Sequence, residues 1–386
     1  MYMRVYTYWR KRSRSTQRWT KTERGCACWR WRRSAGSRSK RERRRRWCSS
    51  SARRQRSLVL EAEERDGPAK PGVGGLASPA SLPPLDSARP TLPSRLWLKT
   101  SVVPSCFNST TVYHVKCRET DASYALKCHT NNKEDGDLSE SAIIELSCLS
   151  ALRGHPNIAK MLDCFLQEGE ISTLMPYLPL MLFNVIYQGR CRSGLLPISF
   201  IGHFSLEIAN ALAYMHGLHM IHRDLTPNNV LLMLDTLTVK VADMGLSRYG
   251  VGKGMSSMVV TKPNRAPELF CKKCFIDYTC AIDMWSLGVM IVDSMESTVS
   301  FFDPDIDTDE LIKRVLDPDE VDDHDCNRNL ITVMPNVMWC KHVSRIVFKL
   351  LKLQSEDRLI ASMLLNDNQW IRISHVTPDT IDRVKH

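Results

Sequence analysis

The chain has 386 residues, 43% of them hydrophobic, which supports one large or two modest domains with a sizeable core and excludes disorder throughout. Its formal net charge of +11 is unevenly placed: residues 1–57 carry 21 Lys and Arg against Glu23 and Glu42, a balance of +19 that leaves the other 329 residues at −8. The 14 cysteines follow no disulfide framework, and no run reaches the roughly 18 apolar residues of a membrane span, nor does the N-terminus carry a signal peptide's apolar core. The expectation is a soluble intracellular protein, nuclear or cytoplasmic, with no membrane partner.

Residues 1–57 form a basic, Arg/Trp-rich arm without helical or strand period, expected to be disordered alone. Arginines interleaved with Trp9, Trp19, Trp29, Trp31 and Trp47 could contact nucleic acid by phosphate pairing and base stacking, and "KRERRRR" at 40–46 could serve as a nuclear localisation signal. The bland alternative is a segment under little selection for fold. Residues 58–95, rich in Pro, Gly, Ala and Ser, read as a linker. The folded part is expected over 96–375, followed by a tail at 376–386.

Within the folded part "ASYALKC" (122–128) predicts a strand. "SESAIIELSCLSALRG" predicts a helix, opened by a serine and closed near Gly154 with Pro156 just beyond. "ISTLMPYL" predicts a second strand, stopped by prolines. In "SFIGHFSLEIANALAYMHGL" the positions Ile201, Phe204, Ile208, Leu212 and Met215 recur at three- and four-residue steps, the mark of one buried helix face. "NNVLLM" and "LTVKVADM" predict two short strands around a turn, and helical patterns dominate the remainder. A small strand-bearing part thus precedes a larger helical one, which implies two lobes with a cleft between them.

An ordered series of motifs lies between these elements: "YALK" at 124–127, Glu145 in the next helix, "HRDLTPNN" at 222–229, "DMG" at 243–245, "APE" at 266–268, "DMWSLG" at 283–288 and Arg358 in "SEDRL". Singly, each of these charges would be read as solvated surface. In this order and spacing they resemble the eukaryotic serine/threonine protein kinase family over about residues 98–373, with "ESAIIELSCLSALRGHPNIAKMLDCF", "VVT" at 259–261 and Arg265 closest to the cyclin-dependent-kinase-like branch.

The resemblance implies a bilobal α+β fold, a five-stranded antiparallel small lobe and a helical large lobe. Its implied substrates are ATP and protein hydroxyls, with Mg2+ as cofactor and preference for proline after the acceptor, and its implied partners are protein substrates and a cyclin-like regulatory protein. Phosphoryl transfer needs charge neutralisation and alignment more than covalent help. By resemblance, Lys127 holds the phosphates while Glu145 fixes Lys127; Asp224 orients the hydroxyl and accepts its proton, with Thr226 beside it; Asn229 and Asp243 hold magnesium. Ser105, Thr110, Met175, Tyr177 and Leu178 are the further positions expected to line the nucleotide site. Glu268 is expected to pair with Arg358, and Asp283 to anchor the loop amides near His222 and Arg223, because a buried carboxylate needs partners.

The departures open a second reading. Ser105, Phe107 and Thr110 stand where the family has the glycines that let backbone amides approach phosphates. Thr226 replaces a lysine, keeping a hydroxyl that could bond Asp224 or the substrate, and Met244 replaces a phenylalanine in a packing role. "KPN" at 262–264 replaces an aromatic-containing triplet, and Ser256 and Ser257 lie where a phosphate could pair with Arg223. An active kinase and a pseudokinase or scaffold that keeps only the fold both follow from these residues.

Overall fold

The computed structural model describes residues 97–103, 110–129, 139–167, 170–188, 195–250, 254–316 and 330–385. The basic arm and the linker lie outside them, as do Ser105, Phe107 and the acidic stretch at 317–325.

Five strands make the small lobe's sheet: β1 (Trp97–Val103), β2 (Thr110–Cys117), β3 (Ser123–His129), β4 (Asp163–Gln167) and β5 (Glu170–Pro176), in the antiparallel order β1-β2-β3-β5-β4. Successive side chains on a strand point to opposite faces. On β3 the buried positions are accordingly Lys127 and His129, two residues apart. Helix α1 (Glu140–Ala151) lies between β3 and β4 in the chain; it buries Ala142, Glu145, Cys148 and Leu149, and Gly154 at φ +90° supplies the left-handed backbone just beyond its end.

In the large lobe α2 (Ile198–Gly217) carries the predicted stripe: Ile201, Phe204, Ile208, Leu212 and Met215 have no exposed surface. Each such side chain contributes about 1.5–3 kcal/mol relative to exposure, so this face alone fixes the helix on the core. Helix α3 (Ala281–Glu296) is buried without interruption from Ile282 to Met295, as expected of a helix that is apolar around its whole circumference. Short antiparallel strands β6 (Leu180–Met181), β8 (Val230–Leu232) and β9 (Val239–Val241) form a ribbon at the cleft, and β7 (Met220–Ile221) pairs with β10 (Arg248–Tyr249). The loop between β7 and β8 holds residues 222–229.

Glu268 and Arg358 pair through two parallel contacts of 2.6 Å, Nη1 to Oε1 and Nη2 to Oε2. Arg358 also donates from Nε to the Lys352 carbonyl at 2.7 Å, so its charge is fully engaged. The C-terminal residues form α4 (Pro378–Lys385), with Val384 buried in the same core and Thr380 Oγ1 3.4 Å from Ser199 Oγ of α2. Among the described residues no helix is long and apolar enough to cross a membrane.

Candidate active site

Lys127 stands on β3, Glu145 on α1, Asp224 and Asn229 in the loop of 222–229, and Asp243 two residues after β9. Lys127 Nζ lies 2.9 Å from Glu145 Oε1, 2.7 Å from Glu145 Oε2 and 3.0 Å from Asp243 Oδ1. Burial works against the charge on Lys127, but the Glu145 and Asp243 carboxylates outweigh it and hold its pKa above the ordinary value. Burial raises the Glu145 carboxyl above its ordinary value, against the opposing effect of its two-point contact with the lysine.

The loop of 222–229 is held from below by a single carboxylate. Asp283 Oδ2 accepts from the His222 amide at 2.9 Å and Oδ1 from the Arg223 amide at 3.0 Å. The same Oδ2 lies 3.0 Å from His216 Nε2 on α2, a third partner. Burial opposes the charge on His216, yet its hydrogen bonds to Asp283 and Cys280 raise its pKa to about 9. This is how a carboxylate survives inside an apolar helix: both of its oxygens have donors, three in all.

Within the loop His222 is fixed in one tautomer, because its Nδ1 accepts from the Asp224 amide at 3.2 Å while Nε2 donates to the Ala242 carbonyl at 3.1 Å. Asn229 Nδ2 donates to the Asp224 carbonyl at 2.8 Å and to Asp224 Oδ2 at 2.9 Å, so one side chain sets both the backbone and the carboxylate of Asp224. Burial, reinforced by the negative charge of Asp243, pushes the Asp224 carboxyl up to about 7. Burial has the same tendency at Asp243, but Lys127 overrides it and the Asp243 carboxyl is held below its ordinary value. Asp243 sits at φ 62°, and Gly245 beside it leaves room for the carboxylate: an added Cβ would stand 3.3 Å from Asp243 Oδ1.

Other expected positions fall as follows. Thr226 is buried in the loop and its carbonyl accepts from the Asn229 amide at 2.9 Å; its hydroxyl makes no hydrogen bond with Asp224, the first of the two roles open to it. Thr110 opens β2, paired in register with His129. Met175 is half-buried near the end of β5; Tyr177 and Leu178 follow, half-buried, with the Tyr177 ring stacked on His114 at 3.9 Å between centroids. Ser105 lies outside the described residues. Met244 is fully buried, in keeping with a packing role.

Arg223 reaches residues 246 and 256 and Tyr278 by its own contacts. Nε donates to Tyr278 Oη at 2.8 Å, Nη1 to the Leu246 carbonyl at 3.0 Å and Nη2 to the Ser256 carbonyl at 3.5 Å, while Tyr278 Oη donates to that same Ser256 carbonyl at 2.9 Å. Ser257 is buried, its hydroxyl donating to the Lys273 carbonyl at 2.6 Å; Ser256 is the more accessible of the two serines. Val260 adopts φ 64°, a left-handed conformation costly for a β-branched residue. It is held there by Arg265, whose Nε and Nη2 both donate to the Val260 carbonyl, at 3.2 and 2.8 Å.

Residues 108–371 match the model of the protein kinase domain, more than half of the chain. The chain belongs to the protein kinase family. Two curated kinases illustrate the relation. The chain is 34% identical to a probable CTD kinase subunit alpha homolog of Encephalitozoon cuniculi over 181 residues, 46% of this chain and 52% of that one. It is 30% identical to the serine/threonine-protein kinase DCLK3 of Mus musculus over 244 residues, 59% of this chain and 30% of that one. The matches thus span about half of the first relative's length and under a third of the second's. Among solved structures, a chain of the CAK complex of Chaetomium thermophilum bound to ATP-gamma-S shares the fold, with TM-score 0.59 and 22% identity over 72% of this chain and 91% of that one. The eukaryotic-type serine/threonine kinase resemblance, with its leaning to the cyclin-dependent-kinase-like branch, accords with these matches, as does the bilobal kinase fold.

Sequence reasoning missed His129, His216 and Tyr278 in this kinase site. For His129 a signal was available: it stands two residues after Lys127 on one strand, hence on the same face.

Proposed function

We propose that this protein kinase is a catalyst, transferring the γ-phosphoryl group of ATP to serine or threonine hydroxyls of proteins that carry proline after the acceptor. The observation that supports it most is the joint arrangement of Lys127 on Glu145 and Asp243 and of Asn229 on Asp224, with no member of the set replaced. Lys127 offers a fixed cation to the phosphates, and Glu145 keeps it from swinging away. Asp224, pushed up to about 7, accepts the proton of the incoming hydroxyl with a basicity matched to neutral pH. Thr110, Met175, Tyr177 and Leu178, with Ser105, line the nucleotide in this reading.

Asn229 and Asp243 are hard oxygen donors, the kind magnesium takes, and among the described residues no group of three or more His, Cys, Asp or Glu side chains could bind a metal unaided. That sparse set fits a cation that shares its ligands with substrate phosphates. When bound, magnesium neutralises the phosphate charge.

The preference for proline rests on Val260. Its carbonyl is turned toward Arg265, so a substrate amide passing over this residue finds no acceptor. Proline has no amide hydrogen to leave unpaired and loses nothing there. Because the fold neighbour belongs to a complex, a regulatory protein partner is part of the reading, and the basic arm supplies nuclear targeting more readily than specific nucleic-acid binding.

The test is phosphate transfer from labelled ATP by the full chain to a Ser-Pro peptide and its Ser-Ala counterpart, with nucleotide binding measured alongside. Transfer favouring Ser-Pro is expected. The scaffold reading, favoured by Ser105, Phe107 and Thr110 at the glycine positions, predicts no transfer to either peptide whatever partner is added.

A further inference from the structure

The small lobe buries an imidazole that the reaction as described does not use. His129 is 1% exposed, and neither of its ring nitrogens completes a well-aligned hydrogen bond. Its Nε2 lies 3.4 Å from Glu145 Oε2. An apolar residue would fill this strand position without penalty, whereas a buried imidazole with no partner is costly. Burial and the Lys127 charge drive its pKa down to about 4, so the ring is neutral and carries one N–H. With that hydrogen on Nε2, the ring offers a donor to the carboxylate. With it on Nδ1, a lone pair would face Glu145 and the buried N–H would be orphaned. The first tautomer is therefore the stable one.

We infer that His129 is a positioning residue, a neutral donor from β3 to Glu145 that keeps α1 seated independently of Lys127. The two side chains on one face of β3 then divide the work at one carboxylate. Lys127 is shared between Glu145 and Asp243 and, in the kinase reading on which this inference rests, is engaged by phosphates during each turnover. His129 has no such competing task. Glu145 therefore stays in place while the ammonium is drawn toward the nucleotide.

Two full-length variants separate this role from packing: His129→Leu removes the donor at similar volume, and His129→Gln restores an N–H donor. Hydrogen exchange of the α1 amides and the kinetic constants for ATP are measured for each. His129→Leu is expected to speed α1 exchange and lower kcat about tenfold, the loss of one hydrogen bond to a charged group, with KM for ATP changed less; His129→Gln is expected to recover most of both. The inference is overturned if the leucine variant matches wild type in exchange and kcat, or if both variants are impaired equally. Absence of transfer in the wild type would count against the kinase reading alone, since α1 exchange still decides whether His129 holds Glu145.

Discussion

The two halves of the site are held by different means. In the large lobe the loop of 222–229 hangs from Asp283 by backbone amides, braced by His216, and its internal bonds run from Asn229 to Asp224 over five residues. In the small lobe the Lys127–Glu145 contact joins side chains from a strand and a separate helix, so it depends on ion pairing, on His129 and on the packing of α1. Backbone anchoring to a buried scaffold fixes position without regard to ligands, whereas a side-chain pair across two elements is only as fixed as the helix that carries it. Asp224 is therefore set by the fold, while Lys127 is set by the seating of α1.

The largest effect is expected from removing the anchor of the large-lobe loop. Asp283→Ala strips three donors of their acceptor and is expected to cost about 3–5 kcal/mol in equilibrium unfolding, with activity lost in the fraction that folds. A variant of near-native stability would show that the loop is not held from α3. In the small lobe, Lys127→Met and Glu145→Gln should cost less stability than Asp283→Ala, because Glu145 can take up a proton and Lys127 keeps Asp243, and should lower kcat by on the order of 10²–10³ through lost phosphate positioning. Melting curves beside steady-state rates would expose the opposite pattern, a stability loss large enough to explain the rate.

The brace on Asp283 carries a pH signature. His216 has its pKa raised from 6.5 to about 9 in the folded chain, so its contribution is fully present below pH 6.5 and is lost as pH rises through 9. Between those limits the wild type should lose on the order of 2–3 kcal/mol relative to His216→Gln. Urea titrations of both proteins at several pH values give this difference directly, and parallel pH profiles would remove the imidazolium from the account. The smallest effect is expected at Val260. Arg265→Ala frees its carbonyl and should reduce the Ser-Pro over Ser-Ala preference about tenfold, the worth of a charged hydrogen bond, which competing peptides in one assay would reveal. An unchanged ratio would move the specificity elsewhere.

Much of the fold was legible because it rests on local periodicity. The stripe from Ile201 to Met215 and the strand over "ASYALKC" follow from geometry within one element, although the alternation that buries His129 beside Lys127 was not read from it. The residues around Asp224, Asn229 and Asp243 were legible for another reason, since their spacing resembles a family pattern. What was not legible depends on contacts between distant segments. His216 meets Asp283 across 67 positions and Tyr278 meets Arg223 across 55, and neither pair has a sequence period that announces it. Val260 is similar: nothing in "VVT" marks a left-handed residue, and its conformation becomes intelligible only once Arg265 is seen on its carbonyl. The hydroxyl of Thr226 illustrates the limit from the other side. Its chemistry allows a bond to Asp224, but the partner that carboxylate has is Asn229, on Oδ2.

Catalysis by Asp224 is decided by a single-turnover measurement of phosphate transfer by the full chain beside Asp224→Asn, with ATP and magnesium and a Ser-Pro peptide at saturation. Transfer by the wild type and a loss of at least about 100-fold in the variant, whose amide cannot take the hydroxyl proton, are expected, with nucleotide binding unchanged. Equal rates in the two proteins, or nucleotide bound by both and transferred by neither, would contradict catalysis by Asp224.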